Sequence, residues 1–397
     1  MKISETAKKC GLSPMRKFHP YAVEAESKGR KIYHLNIGQP DIETPKQFFD
    51  AIRDFSTPVL EYAASPGIPV MIDAIRGYYQ SRLGVAFGSK DILVTTGGSE
   101  ALMILMQCIL DNGSEILIPE PFYPNYRTFI NMAGGTIVPI PTSPEEGYHY
   151  ADAERIEARI TENTRAMLIC NPGNPTGTTL TEEEMRLLKD IAVKHDLYLI
   201  CDEVYREFCY DGKGLRSFAE FEDAADRVCI VDSVSKRFSS CGARIGCLIS
   251  RNAELMGEAL KFCQARLSTA TLDQVGAAAL YSVEEAYFTA VRKEYMHRRD
   301  TVMQKLREIP GVIAKEPQGA FYLMAKLPVD DSDAFQKWLL TDFEDHGETV
   351  MFAPGAPFYA TPGKGVNEVR IAYVLKEADL IRAMELLALG IQAYNNR

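Results

Sequence analysis

Lys236 stands in the stretch Ser233-Val-Ser-Lys236-Arg-Phe-Ser-Ser-Cys-Gly242-Ala-Arg244, just after the apolar run Val228-Cys-Ile-Val231. The run reads as a buried strand, so the lysine falls beyond a strand end, where α/β sheets place their ligands. A lone lysine there is as readily a solvated surface residue. Ser233, Ser235 and Arg244 shift that balance: they can donate to an anion, and Gly242 permits close backbone approach. A lysine held out of water among cations serves as an amine nucleophile toward a carbonyl carbon.

Three other stretches carry comparable chemistry. Asp202 ends the apolar run Leu197-Tyr-Leu-Ile-Cys201. Burying a carboxylate is costly without a partner, so it reads either as a salt-bridged structural residue or as the counter-ion of a protonated ring nitrogen. Tyr205, three residues on, approaches the same ligand. In Asn171-Pro-Gly-Asn174-Pro-Thr-Gly177 the residue types are those of a turn. Two Asn-Pro steps make the loop rigid, and Asn174 can offer its amide to a ligand oxygen. Val94-Thr-Thr-Gly97-Gly98-Ser99-Glu100 matches neither nucleotide-binding glycine pattern. It reads equally as a phosphate site at a helix start and as a plain turn capped by Ser99.

The elements that must position these residues alternate along the chain. Short apolar runs predict strands over 92–95, 115–118, 136–140, 166–170, 197–201, 228–231 and 246–250, and helical patterns fall over 100–110, 123–133, 181–194 and 252–263. Thr181 with Glu184 is a capping-box pair. Strands too apolar to alternate, separated by helices, indicate an α/β fold: a mostly parallel seven-stranded sheet covered on both faces. After Thr271 the texture becomes α+β, with one long helix over 272–309 stopped by Pro310-Gly311, a strand over 319–326, a helix over 332–346, a strand over 369–374 and a helix over 377–394. The stretch before Pro45 is rich in turn formers around one short apolar run, 32–37. We therefore expect a large domain over 45–280, and a smaller α+β domain from 1–44 plus 281–397.

The whole chain narrows the class. Its net charge of −10, without a basic stripe, disfavours nucleic acid. Nine scattered cysteines with no close pair suit a reducing compartment. The start, MKISETAKKCGLSP, has no apolar core for a signal sequence, and no run approaches the ~20 apolar residues that span a bilayer. The expectation is a cytoplasmic α/β protein with no membrane partner and no metal.

In chain order these pieces resemble the class I/II aminotransferases, pyridoxal phosphate enzymes of fold type I, in an aspartate-aminotransferase-like form. The likeness runs from about Asn36 to Arg370. Leu35-Asn-Ile-Gly38-Gln-Pro40-Asp41 resembles the family's N-terminal substrate loop, in which the Gly38 backbone faces the substrate carboxylate. Glu61-Tyr62-Ala63 resembles the segment whose tyrosine reaches the partner subunit's cofactor phosphate, which implies a homodimer. Pro121-Phe-Tyr123-Pro124 resembles the segment whose aromatic ring stacks on the pyridine. Asn367-Glu-Val-Arg370-Ile-Ala-Tyr373 resembles the segment whose arginine binds the substrate α-carboxylate. Ser240 departs from the apolar residue usual there, a matter of packing.

The resemblance implies a Schiff base between Lys236 and pyridoxal 5'-phosphate. The phosphate is then held by Gly98, Ser99 and Glu100 at the helix start with Ser233, Ser235 and Arg244. Asp202 keeps the ring nitrogen protonated, and Tyr205 and Asn174 bond the ring oxygen. It implies ping-pong amino transfer between an amino acid and a 2-oxo acid, with aspartate and 2-oxoglutarate as the working pair. Alternatives are a lyase or synthase on the same scaffold, a non-catalytic cofactor-binding regulator, and a phosphate-binding α/β protein. For a distal carboxylate only Arg266 and Lys261 suggest themselves, by proximity alone. Phe321, Tyr322, Phe358 and Tyr359 read chiefly as packing.

Overall fold

A computed structural model describes residues 1–210, 212 and 214–397. Seven strands form the main sheet: β1 (Ile92–Thr95), β2 (Glu115–Pro119), β3 (Thr136–Ile140), β4 (Thr164–Cys170), β5 (Tyr198–Asp202), β6 (Val228–Ser233) and β7 (Gly246–Ile249). They lie in the order β1-β7-β6-β5-β4-β2-β3, with β7 antiparallel to both neighbours and the rest parallel.

Both faces of the sheet are buried, which is why its strands run apolar without alternation. Leu199, Cys201 and Ile230 face one core cluster, and Ile200, Cys229 and Val231 the other. The capping box forms as expected: Thr181 Oγ1 accepts from Glu184 N at 3.2 Å, and Glu184 Oε2 from Thr181 N at 2.7 Å.

Register decides where the chemistry falls. Cys170 pairs with Asp202, Asp202 with Val231, Ser233 with Gly246 and Gly246 with Thr95. The loops carrying Asn174, Lys236 and Gly97 therefore leave the same edge of the sheet at which Asp202 ends.

A second core surrounds a four-stranded antiparallel sheet of Ile313–Ala314, Tyr322–Lys326, Ala353–Pro354 and Glu368–Ala372. Lys31–His34 pairs in parallel with Glu348–Met351. Arg370 sits mid-strand, opposite Met324 and Ala353.

Several expected elements differ. The helix over 272–309 is two helices, Thr271–Leu280 and Glu285–Arg307. Ser282 Oγ donates to Ala279 O at 2.7 Å, occupying an end carbonyl, and Glu284 is extended. The helix expected to reach residue 346 stops at Thr341. His346 and Gly347 there take φ of 52° and 74°, turning the chain into Glu348–Met351. The strand expected from 319 begins at Tyr322, because Ala320 has φ 55°. Before Pro45 the chain forms two helices, Glu5–Lys9 and His19–Ser27, neither with an apolar stripe long enough to read; Pro69–Leu83 is a further unexpected helix.

Candidate active site

One cleft of about 640 Å³ is lined by all the predicted residues except Glu100 and Tyr62. Lys236 lies on the single helical turn Val234–Arg237 that follows β6. Ser233 starts that turn, its Oγ accepting from Ser235 N at 3.1 Å. Lys236 Nζ donates to Gly38 O at 2.9 Å and lies 3.6 Å from Cys241 Sγ.

Beside the lysine is a cradle shaped for an anion. Gly97 and Gly98 open the helix Gly97–Ile109, whose first amide groups have no partner within the helix. Gly97 has φ 71°, and a Cβ there would come within 2.5 Å of Arg244 Nη2, so only glycine lets the guanidinium lie against the helix start. Ser99, Ser233 and Ser235 line the same space. Glu100 turns its carboxylate elsewhere: it accepts from Thr96 N at 2.6 Å and pairs with Arg266 Nε at 3.0 Å.

Asp202 is buried at the end of β5. Tyr126 Oη donates to Oδ2 at 2.6 Å and Val204 N to Oδ1 at 3.4 Å, but among the described residues no cation pairs with it. Burial pushes its carboxyl up to about 6, with the two hydrogen bonds pulling the other way. Tyr205 Oη accepts from Asn174 Nδ2 at 3.3 Å and lies 3.0 Å from Tyr322 Oη; burial holds its phenol well above the usual range. Tyr123 accepts from Asn125 Nδ2 at 2.8 Å and meets Tyr126 edge-on.

Arg370 is also buried and, among the described residues, meets no carboxylate. Nη1 donates to Asn174 Oδ1 at 3.2 Å and Nη2 to Asn36 O at 2.5 Å, while Nε and Asn36 Oδ1 have no partner. Tyr62 stands apart from the cleft, 82% exposed.

Arg266 and Lys261 are not available to a substrate. Arg266 is held by Glu100 and donates to Val94 O at 2.7 Å; Lys261 pairs with Glu258 at 2.6 Å on the exposed side of its helix. Tyr322, read from sequence as packing, lines the cleft, whereas Phe321 packs in the second core. Sequence reading also passed over Tyr126 and Asn36. Neither had a signal of its own: Tyr126 lies in the first turn of the helix Asn125–Met132, and Asn36 in a stretch without periodicity.

The family described as "Aminotransferase class I and II" matches residues 30–387, and the chain belongs to it. It is an enzyme, a transaminase, and its cofactor is pyridoxal 5'-phosphate. The "Probable aspartate/prephenate aminotransferase" of Thermus aquaticus is 31% identical, with 94% of each chain covered. The "Aspartate aminotransferase" of Bacillus subtilis (strain 168) is 30% identical, covering 94% of this chain and 95% of its own. Among solved structures, the Thermus thermophilus aspartate aminotransferase with maleate superposes with a TM-score of 0.89 at 28% identity, covering 98% of this chain and all of the other. An alanine aminotransferase from Pyrococcus furiosus gives 0.90 at 27%, covering 99% and 100%.

The donor set fits that cofactor. The anion cradle suits its phosphate, Lys236 suits its aldehyde, and a protonated ring nitrogen is the cation that Asp202 lacks. Among the described residues, no helix is long and apolar enough to cross a membrane.

Proposed function

We propose that the enzyme moves the amino group of an acidic amino acid, aspartate first, to a 2-oxo acid such as 2-oxoglutarate in a ping-pong sequence. The observation that carries this reading is the pair of buried, uncompensated charges, Asp202 and Arg370, lining one cleft with Lys236. The printed names of the relatives supply the choice of aspartate.

Bound pyridoxal phosphate supplies an aldehyde that condenses with amines and a ring that takes up electrons from the substrate α-carbon. Arg370 docks the substrate α-carboxylate through its guanidinium, with the Gly38 backbone beside it. Lys236 Nζ, as a free amine, takes the proton from the substrate α-carbon, and one group thus serves as base and then as acid. Asp202 would keep a proton on the ring nitrogen, Tyr205 and Asn174 would hydrogen-bond the ring oxygen, and Tyr123 would stack on the ring. Gly98, Ser99 and Glu100, through backbone N–H groups at the helix start, would hold the phosphate with Ser233, Ser235 and Arg244.

The working unit in this reading is a homodimer in which Tyr62 reaches the neighbouring site, and its 82% exposure in the single chain supports that. A division into a large domain, 45–280, and a small one, 1–44 plus 281–397, draws support from the separate cores around the two sheets, with Phe288 packed into the first and Tyr205 and Phe208 into the second. We place the enzyme in the cytoplasm, in keeping with nine scattered cysteines that form no close pair in the sequence.

Borohydride reduction followed by peptide mapping tests the reading. A pyridoxyl label on Lys236 is required, and Lys236→Ala should lose at least about 10⁴-fold in turnover. Aspartate alone should yield its oxo acid for a single turnover per site, with continued turnover only when 2-oxoglutarate is present. Ammonia released without the second substrate would mean elimination instead.

A further inference from the structure

Tyr322 opens the strand Tyr322–Lys326 of the second sheet, which pairs with the strand that carries Arg370. Only 2% of it is exposed. Its ring meets Tyr205 edge-on with centroids 5.5 Å apart, and the Arg370 guanidinium lies over it at 4.6 Å. A phenylalanine would fill that space equally well. What it would lack is the hydroxyl, and at the hydroxyl three parts of the cleft meet.

Tyr322 Oη lies 3.0 Å from Tyr205 Oη and donates to Gly38 O at 3.4 Å. The same Gly38 carbonyl accepts from Lys236 Nζ at 2.9 Å. The approach to Gly38 is close enough to dictate its type: a Cβ there would fall 1.8 Å from Tyr322 Oη.

Counting protons fixes the direction of these bonds. Each phenol carries one proton, and a carbonyl only accepts. Asn174 Nδ2 already donates to Tyr205 Oη at 3.3 Å. In the reading above Tyr205 gives its proton to the ring oxygen of the cofactor, and burial keeps that phenol protonated. Its contact with Tyr322 then needs a donor, and the Tyr322 hydroxyl is the one that can supply it. The bond to Gly38 O, the longest of the four, is the one given up.

We propose that Tyr322 is a positioning residue that donates to Tyr205 and so sets how strongly Tyr205 bonds the ring oxygen. This rests on the assignment of Tyr205 to that oxygen and deepens it. A hydroxyl that accepts a hydrogen bond becomes a better donor, so the pair holds negative charge on the ring oxygen more firmly than Tyr205 alone. Charge held there stabilises the neighbouring Schiff-base proton less, and Lys236 gives that proton up at a lower pH.

The test is a pH titration of the Schiff-base absorption bands of the cofactor-loaded enzyme. Wild type is compared with Tyr322→Phe, Tyr205→Phe and the double variant. Tyr322→Phe should raise the midpoint by about half a pH unit, the scale on which one hydrogen bond strengthens the next. Tyr205→Phe should raise it by about one unit or more, and adding Tyr322→Phe to it should change nothing further. A ring-fluorinated tyrosine at position 322, a stronger donor of nearly the same shape, should lower the midpoint; this arm decides the matter even where Tyr322→Phe fails to fold. An unmoved midpoint in either position-322 variant, or the same rise from Tyr322→Phe in the Tyr205→Phe background, would overturn the relay. An unmoved midpoint in Tyr205→Phe would instead remove the assignment of Tyr205, and this inference with it.

Discussion

Asp202 and Asp232 lie on the adjacent strands β5 and β6, both buried near the same edge of the sheet, yet their surroundings differ in kind. Asp232 is closed within the protein: Arg206 Nη2 donates at 2.9 Å, Arg237 Nη2 at 2.7 and 2.9 Å, Tyr79 Oη at 3.2 Å and Ser233 N at 2.7 Å. Burial raises its carboxyl, but the two arginines outweigh that and leave it below the ordinary value. Among the described residues Asp202 has two neutral donors and no cation, and burial wins. A buried charge completed by the chain serves the structure; one left incomplete is reserved for something that arrives. Arg370 repeats the second pattern with opposite sign.

The comparison can be broken most forcefully at Asp202. Asp202→Asn should cut kcat/KM by about 10²–10³, the scale of losing one preorganised electrostatic contact. The same change should stabilise the cofactor-free protein at neutral pH. Between about pH 4 and 6 the folded state keeps a proton that the unfolded chain has lost, so Asp202 makes stability fall as pH rises through that window. Urea titrations of the apo protein should show this slope flattened in Asp202→Asn. Were the variant less stable than wild type at pH 7, the idea of an uncompensated carboxylate would be lost.

At the closed site the outcome should be reversed. Arg237→Met leaves part of a buried ion pair unanswered, and should cost about 3 kcal/mol of unfolding free energy in the same titration. Asp232 contributes stability above the ordinary carboxylate range that is lost as pH falls through its depressed value, so its signature lies at the acid end. A loss below about 1 kcal/mol would show that the arginines are dispensable there.

The smallest expected effect sharpens the contrast. Tyr126→Phe removes the 2.6 Å donor to Asp202 but no charge, and should weaken cofactor binding roughly 10-fold, the worth of one hydrogen bond to an ionised group. Equilibrium dialysis measures this directly. Unchanged affinity would mean that Tyr126 merely fills space.

How much of this was legible follows from the same contrast. Lys236, Asp202 and Asn174 stand at the ends of uninterrupted apolar runs or in dense turn signatures, so position in the sequence revealed them, whereas Arg370, in the middle of a strand, came from the family resemblance alone. What completes each charge comes from far along the chain. Arg206 meets Asp232 across 26 residues, Tyr126 meets Asp202 across 76, and Asn36 meets Arg370 across 334. No local pattern encodes such pairings, so the choice between a structural and a reserved Asp202 stayed open until partners were counted. The helix break at Ser282 escaped for a related reason, because the apolar rhythm continues on both sides of a local hydrogen bond.

The central claim, that Asp202 is left uncompensated in order to meet a cation on the cofactor ring, is open to one direct measurement. The ¹⁵N chemical shift of ring-labelled pyridoxal phosphate bound to the wild-type enzyme reports whether that nitrogen carries a proton. The account predicts a protonated nitrogen persisting at pH 8, and a deprotonated one in Asp202→Asn. A nitrogen found neutral in wild type, or protonated equally in both proteins, would contradict it.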